Sequence, residues 1–341
     1  MEQATIVGVD LAKRVFQVHG AAADGSVMFR KKLTRARFLA FLGKLPACTV
    51  AMEACATSHF WGREVSKLGH AVRLIPPIYV KPFVKRQKND AADAEAIAEA
   101  AMRPTMRFVA VKSERQQAGA MVFRARDLLV RQRTQLINAL RGHLAEYGVI
   151  AAQGAAHLKT LKAAVEAPDA ELPAVVRDVA RLYLDQIAVC DRKIAELEKY
   201  IRAEAAEGEA TTRLQTMPGI GPIGAMAIAA FAPPVQEFRR GRDFAAWLGL
   251  VPRQMSTGGK QILGRTSKMG QRDIRRLLII GAMAVVRAAA RKAPSEGSWL
   301  TRMLARKPRM VVAIALANKM ARAAWAMLTK QENYRDPMMA A

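Results

Sequence analysis

The chain has 341 residues, 51% of them hydrophobic, with 54 Lys plus Arg against 29 Asp plus Glu and a formal charge of +25. That much apolar content can bury a core, which excludes a disordered polycation, and the length predicts two or three domains. So large an excess of cations needs a polyanionic partner, because neutralising phosphates releases condensed counterions and drives association. Uninterrupted apolar stretches such as 277–286 and 310–317 fall short of the ~20 residues that span a bilayer, so no membrane partner is expected. The acidic start, Met1-Glu2-Gln3, leads into a strand-like run with no signal-peptide pattern, and Cys48, Cys55 and Cys190 form neither a CxxC pair nor a disulfide framework. Both features predict a cytoplasmic protein in reducing surroundings.

In chain order, residues 5–9, 15–19 and 27–33 read as short strands, with Asp24-Gly25 turning the second into the third. A helix over 35–45, a strand over 48–52, a helix over 59–68, a strand over 71–75 and a Pro-punctuated loop follow. The Ala- and Glu-rich stretch 91–102 reads as a helix with Asp90 at its N-cap. Antiparallel strands followed by βα units predict an α/β domain, a mixed sheet flanked by helices, over 1–112.

The next segment, 113–208, reads as helical. Within 115–147, Val122, Leu129, Leu136, Leu140 and Leu144 share one helix face. Further on, Ala180, Tyr183, Ile187, Cys190, Ile194, Leu197 and Ile201 repeat with the 3,4 spacing of a coiled-coil seam. Two such helices predict an antiparallel pair within the chain or an oligomer interface. A mainly helical segment over 209–330 carries most of the charge, leaving 331–341 as a tail. Residues 251–330 hold 17 Lys and Arg against two acids, Asp273 and Glu296, so phosphate is expected to bind there.

Four acids stand out. Asp10 closes the first strand (Ile6-Val7-Gly8-Val9-Asp10), Glu53 closes a later one (Val50-Ala51-Met52-Glu53), and Asp90 and Asp93 lie one helical turn apart. Singly, each would read as a cap or a surface charge. In this order and frame they can converge on one point, where their mutual repulsion demands cations. Hard oxygen donors suit Mg²⁺ or Mn²⁺, and a two-metal site of ~4 Å spacing can position and polarise a phosphodiester.

Residues Met217-Pro218-Gly219-Ile220-Gly221-Pro222-Ile223-Gly224 formally match G-x-G-x-x-G, but a charged, helix-like stretch precedes them, whereas a dinucleotide fingerprint must follow a strand. A tight turn between two helices, like the hairpin of a helix-hairpin-helix element, fits better, and its amides can hold a phosphate. A second Gly-rich stretch, Pro252-Arg253-Gln254-Met255-Ser256-Thr257-Gly258-Gly259-Lys260, continues to Gly264-Arg265-Thr266-Ser267-Lys268-Met269-Gly270. It is not a Walker loop, and composition favours phosphate binding over attack, since a serine needs activation and no histidine lies nearby in sequence. Beyond it, 271–291 and 298–328 read as basic helices with apolar faces, and Trp247, Trp299 and Trp325 as core anchors. The five histidines are scattered, and His59, the only one near a proposed site, reads as structural or as a support behind the site's ligands.

Together these motifs resemble the insertion-sequence-110 family of transposases, most closely its 1111-type subgroup, over nearly the whole chain. The resemblance rests on Gly8-Val9-Asp10-Leu11-Ala12-Lys13, on Ala51-Met52-Glu53-Ala54-Cys55 with Ser58-His59-Phe60-Trp61, and on Lys88-Asn89-Asp90-Ala91-Ala92-Asp93-Ala94. Met217-Pro218-Gly219-Ile220-Gly221, Phe244-Ala245-Ala246-Trp247-Leu248-Gly249-Leu250-Val251-Pro252-Arg253-Gln254 and Ser256-Thr257-Gly258-Gly259-Lys260 complete it. It implies a RuvC-like, RNase H-fold domain with a DEDD metal site at Asp10, Glu53, Asp90 and Asp93, a coiled-coil middle, and a C-terminal transposase domain whose serine attacks DNA. It also implies donor and target DNA, a noncoding bridge RNA that pairs with both, and a tetramer built from two dimers. Counting from Pro252 puts the nucleophile at Ser256 or Thr257. Ser256, the less hindered primary hydroxyl, is the expected one, with Arg253, Thr257, Gly258, Lys260, Arg265 and Lys268 as nucleic-acid contacts. A junction-resolving nuclease using the carboxylates and water, and a non-catalytic architectural protein, are the competing expectations.

Overall fold

The computed structural model describes residues 4–85, 89–168, 171–291 and 297–335; Lys88 of the acidic-helix motif, Glu296 and the tail beyond Arg335 lie outside them. The chain forms two compact units, Met1–Glu114 and Arg115–Ala341, so the helical middle and the C-terminal segment share one unit.

The first unit is built on β1 (Ile6–Asp10), β2 (Val15–Ala21), β3 (Val27–Thr34), β4 (Thr49–Glu53) and β5 (Ala71–Ile75), with helices α1 (Arg35–Leu42), α2 (Ser58–Lys67), α3 (Pro77–Val80) and α4 (Asp90–Ala101). The strands form one sheet in the order β3-β2-β1-β4-β5. β1 pairs antiparallel with β2 (Ile6↔Ala21 to Asp10↔Gln17) and parallel with β4 (Ile6↔Thr49 to Val9↔Met52), and β4 is parallel to β5. The two-residue period of a strand divides β1 between faces. Val7 and Val9 join Phe16, Phe38, Val50, Met52, Trp61 and Leu74 in one core, whereas Ile6 joins Ala51, Ile75, Ala96, Ile97 and Ala100 in the other. Asp10, in phase with Ile6 and Gly8, therefore belongs to the face that α4 covers. Edge strand β3 is largely exposed and carries Arg30, Lys31 and Lys32, charges that discourage edge-to-edge pairing.

Helix α4 begins one residue differently from expectation. Asn89, not Asp90, is its N-cap, and the Asn89 Oδ1 accepts a 2.9 Å hydrogen bond from the Ala91 amide. Asp90 and Asp93 instead occupy the first turn, where the helix dipole favours negative charge.

In the second unit, α5 (Glu114–Ala145), α6 (Leu158–Glu166) and α7 (Ala174–Glu207) enclose a small core of Ile137, Leu140, Leu144, Leu161, Val165, Ala180 and Ile187. α5 and α7 run antiparallel, as the ion pairs Arg126–Glu198 (2.6 Å) and Arg133–Asp191 (2.5 Å) show by their reciprocal order. The predicted seam on α7 is buried at Ala180, Ile187, Cys190, Ile194 and Ile201.

The main core gathers α8 (Glu209–Gln215), α9 (Pro222–Phe231), α10 (Gly241–Trp247), α11 (Arg272–Arg291), α12 (Trp299–Leu304) and α13 (Arg309–Lys330). The single helix expected over 298–328 is two helices. Pro308 disfavours helical backbone at the residue before it, and α13 starts immediately after. α13 is long and apolar enough to cross a membrane by composition, yet Val312, Ala317, Met320, Ala321, Ala324 and Met327 are packed in this core. The second Gly-rich stretch folds in part as a hairpin of β6 (Pro252–Gln254) and β7 (Leu263–Thr266).

Candidate active site and nucleic-acid interface

Three of the four expected acids come together in the first unit. One carboxylate oxygen each from Asp10, Asp90 and Asp93 lies within 4.8 Å of the others, with Asp90 exposed and the other two half-buried. Glu53 lies outside this trio. The parallel register carries it to the end of β4 one residue past the Val9↔Met52 pair, as Asp10 ends β1. Burial, and then the Asp93 carboxylate, push the Glu53 carboxyl above its ordinary value, so the two acids feel each other. An oxygen-only donor set at this spacing suits a hard divalent cation, not the softer metals that take thiolate or imidazole.

Sequence reading missed the residue that allows this approach. A Cβ on Gly8 would lie 2.3 Å from the Ala94 carbonyl oxygen and 2.7 Å from the Ala98 amide nitrogen. Helix α4 thus lies directly on the backbone of β1, with its first turn, and Asp90 and Asp93, beside Asp10. The Ala-rich composition of α4 serves the same contact, since Ala94 and Ala98 keep the helix face thin. His19, cross-strand from Gly8, is 3% exposed on this covered face, and burial lowers its imidazole below the ordinary value. The His59 Nδ1 accepts a 3.2 Å hydrogen bond from the Lys112 amide, and burial and the nearby Lys112 and Arg63 lower its pKa.

In the second unit, the glycines of the stretch expected to bind phosphate lie at the end of the β6–β7 hairpin. Thr257 and Lys260 bridge each other, while Gly258 (φ 54°) and Gly259 (φ 77°) turn the chain between them. Two consecutive positive φ angles define a type I′ turn, which glycine adopts without strain. The pairing register puts Arg253, Met255, Thr257, Lys260 and Ile262 on one face and Gln254, Ser256, Gln261 and Leu263 on the other. All nine side chains are exposed. The Ser256 hydroxyl accepts hydrogen bonds from the Ile262 amide (3.3 Å) and the Gln254 side chain (3.4 Å). The hairpin's cations, Arg253, Lys260, Arg265 and Lys268, alternate with exposed Met255, Ile262, Leu263 and Met269.

The two ends of the hairpin are locked together by glycine. A Cβ on Gly249 would lie 1.9 Å from the Met269 carbonyl oxygen, and one on Gly270 would lie 1.8 Å from that of Trp247. Both residues have positive φ. The Arg275 guanidinium donates to the carbonyls of Leu248 (2.9 Å) and Met269 (3.1 Å), tying this crossing to α11. Residues 216–221 form a tight turn between α8 and α9, as expected, and Pro222, Ile223 and Gly224 open α9. Gly219, with φ of 89°, meets Gly281 of α11 so closely that a Cβ on Gly281 would be 1.8 Å from the Gly219 carbonyl oxygen.

A mixed five-stranded sheet with acids at the ends of its two central parallel strands and on a helix laid across them defines a RuvC-like DEDD domain, a nucleic-acid-processing class. Residues 7–149 match a DEDD-type IS110 transposase model, and residues 211–295 match the family described as Transposase IS116/IS110/IS902. A probable family 20 transposase of Pseudomonas aeruginosa is 50% identical over 331 residues, spanning 96% of this chain and 98% of its own length. The transposase for insertion sequence element IS1328 of Yersinia enterocolitica is 41% identical, over 97% of this chain and 98% of its own. That for IS1111A of Coxiella burnetii is 39% identical, over 98% and 92%. The chain belongs to the IS116/IS110/IS902 family of insertion-sequence transposases, enzymes that cut and join DNA.

Proposed function

We propose that this transposase exchanges DNA strands through a covalent intermediate on Ser256, with Asp10, Glu53, Asp90 and Asp93 holding Mg²⁺ or Mn²⁺. The convergence of the Asp10, Asp90 and Asp93 carboxylates carries the reading, because carboxylates this close repel one another and a cation held among them offsets that repulsion. A bound divalent cation supplies charge neutralisation and orientation to the scissile phosphate. Ser256 Oγ gives up its proton and bonds to phosphorus as the bond to one ribose oxygen breaks, and that oxygen takes up a proton. Attack by the hydroxyl of another strand reverses the step and frees the serine, so the phosphodiester count is conserved. Thr257, Gly258, Arg253, Lys260, Arg265 and Lys268 hold the DNA backbone around the hydroxyl, and their exposure on the hairpin supports this role.

A bridge RNA pairing with donor and target DNA selects the sequence, while the protein contributes charge and chemistry. The working assembly is a homo-oligomer, dimer to tetramer, with 113–208 as the oligomerising segment. Exposed Val175, Val179 and Leu182, one stripe on α7, support such an interface.

Incubating end-labelled DNA with the protein and Mg²⁺, then denaturing, tests the serine. A protein-linked label in the wild type that is absent in Ser256→Ala is expected; an adduct that persists in Ser256→Ala sinks the assignment. Among the described residues the Ser256 hydroxyl is held by an amide and a carboxamide, not by a base. That observation favours, as a second reading, a junction-resolving nuclease in which water attacks; it predicts Mg²⁺-dependent cleavage with free ends and an active Ser256→Ala variant. Sequencing the nucleic acid that co-purifies tests the RNA: a discrete species is expected, and random host fragments count against guidance.

A further inference from the structure

The second unit contains a cavity of about 570 Å³ that neither the carboxylate site nor the hairpin uses. Packed cores leave few voids larger than a water molecule, whereas small-molecule sites occupy about 300–1,000 Å³, so this space is of ligand size. It lies between α12 and α13 and reaches the turn after α8 at Met217 and Pro218. Leu316, Met320 and Met327 of α13 line it together with Trp299 of α12. The Lys319 ammonium sits 5.1 Å from the centre of the Trp299 ring. The cavity's exposed lining residues include Lys330, Asn333 and Arg335, and among the described residues the lining carboxylate is Glu332. Lined by Trp299 and Tyr334, with three cations against one acid among the described residues, it matches a flat aromatic ligand that carries negative charge.

We propose that this cavity binds one unstacked nucleotide of the nucleic acid the protein handles, its base in the apolar slot beside Trp299 and its phosphate at Lys319, Lys330 and Arg335. Stacking on an aromatic side chain compensates a base for leaving its neighbours and tolerates any sequence, and the lysines and arginine add the phosphate contact. The exposed amide of Asn333 offers a donor and an acceptor to a base edge. The inference rests on nucleic acid as the partner and is independent of the serine, so a Ser256→Ala protein keeps the site.

Photo-crosslinking of the full-length protein to a single-stranded DNA carrying 5-iodouracil, followed by peptide mapping, tests it. The expected result is a cross-link at Trp299 or Tyr334, unchanged in Ser256→Ala and reduced at least tenfold in Trp299→Leu. A second variant, Ala326→Phe, fills the slot while leaving Trp299 and the cations in place, and is expected to lose the same cross-link; circular dichroism establishes that each variant is folded. Cross-links confined to the hairpin, or a Trp299 cross-link that survives in folded Ala326→Phe, overturn the proposal. So does a fatty acid or phospholipid found in the purified protein by native mass spectrometry together with no cross-link at either aromatic.

Discussion

The carboxylate site and the serine hairpin are built in opposite ways. Asp10 and Glu53 end strands whose other residues are almost fully buried, and α4 is pressed onto β1 with no side chain between them at Gly8. Packing on both faces of the sheet fixes the position of these acids before any ligand arrives. The hairpin is mostly exposed, and its order comes from backbone pairing, a type I′ turn and the crossing at Gly249 and Gly270. A preorganised acidic site suits a small cation that must meet several oxygens at once. An exposed cationic hairpin suits a long polyanion, and in the proposed function that polyanion excludes water and completes the surroundings of the hydroxyl.

Crowding the first site tests its rigidity and carries the largest expected effect. Gly8→Val sets methyl groups against the Ala94 carbonyl and Ala98. The strain of overpacking is about 1–3 kcal/mol, and displacing α4 by even ~1 Å lowers DNA cleavage on the order of 100-fold. Thermal melting and cleavage of labelled DNA measure the two effects; a Gly8→Val protein of normal activity would refute the close-packing account.

At the hairpin, Gly249→Ala and Ser256→Ala are expected to separate structure from chemistry. The first forces a Cβ into the Met269 carbonyl at positive φ and destabilises by about 1–3 kcal/mol. The second changes an exposed hydroxyl, shifts stability by less than about 0.5 kcal/mol and removes the DNA adduct. Urea titrations of both variants decide, and equal destabilisation would show that Ser256 bears on the fold.

The buried side of the comparison also has a pH signature. Burial holds His19 and His59 below the ordinary value of 6.5. As pH falls past that value the unfolded chain takes up protons at these sites and the folded protein does not. Their contribution to stability is therefore complete above pH 6.5 and declines as pH falls toward the lowered native values. Unfolding at pH 7.5 and 5.5 is expected to show the decline, reduced in a His19→Asn, His59→Gln double variant; an unchanged decline would assign it to other groups.

The smallest effect concerns the hairpin's charges. A lysine that neutralises one phosphate adds about 1 to the slope of log affinity against log salt, so Lys260→Ala or Lys268→Ala is expected to make that slope shallower by about 1. Fluorescence anisotropy across a salt series measures it, and an unchanged slope removes that residue from the interface.

Much of this is legible in the sequence. The five strands of the first unit follow alternating or continuous apolar runs, and the acids at strand ends and on one helical turn are visible as candidates because strand and helix periods are fixed by backbone geometry. The hairpin is not, although Gly258-Gly259 is a type I′ turn signal. Its strands are short and exposed, so no buried face imposes the apolar alternation by which strands are recognised. The interruption at Pro308 is hidden by an apolar period that resumes in phase beyond it, and Asn89 is hard to single out as a cap because Asp90 beside it is an equally good capping residue.

The sequence by itself determined the class of elements, the charge asymmetry and the inventory of reactive groups, since these depend on local periodicity and composition. Only the tertiary structure decided which acids meet, that Gly8 lets α4 reach β1, that Gly249 and Gly270 close the base of the hairpin, and that α12 and α13 leave a nucleotide-sized space beside Trp299. Those outcomes depend on distances between residues remote in the chain, which packing of the core fixes and no local pattern encodes.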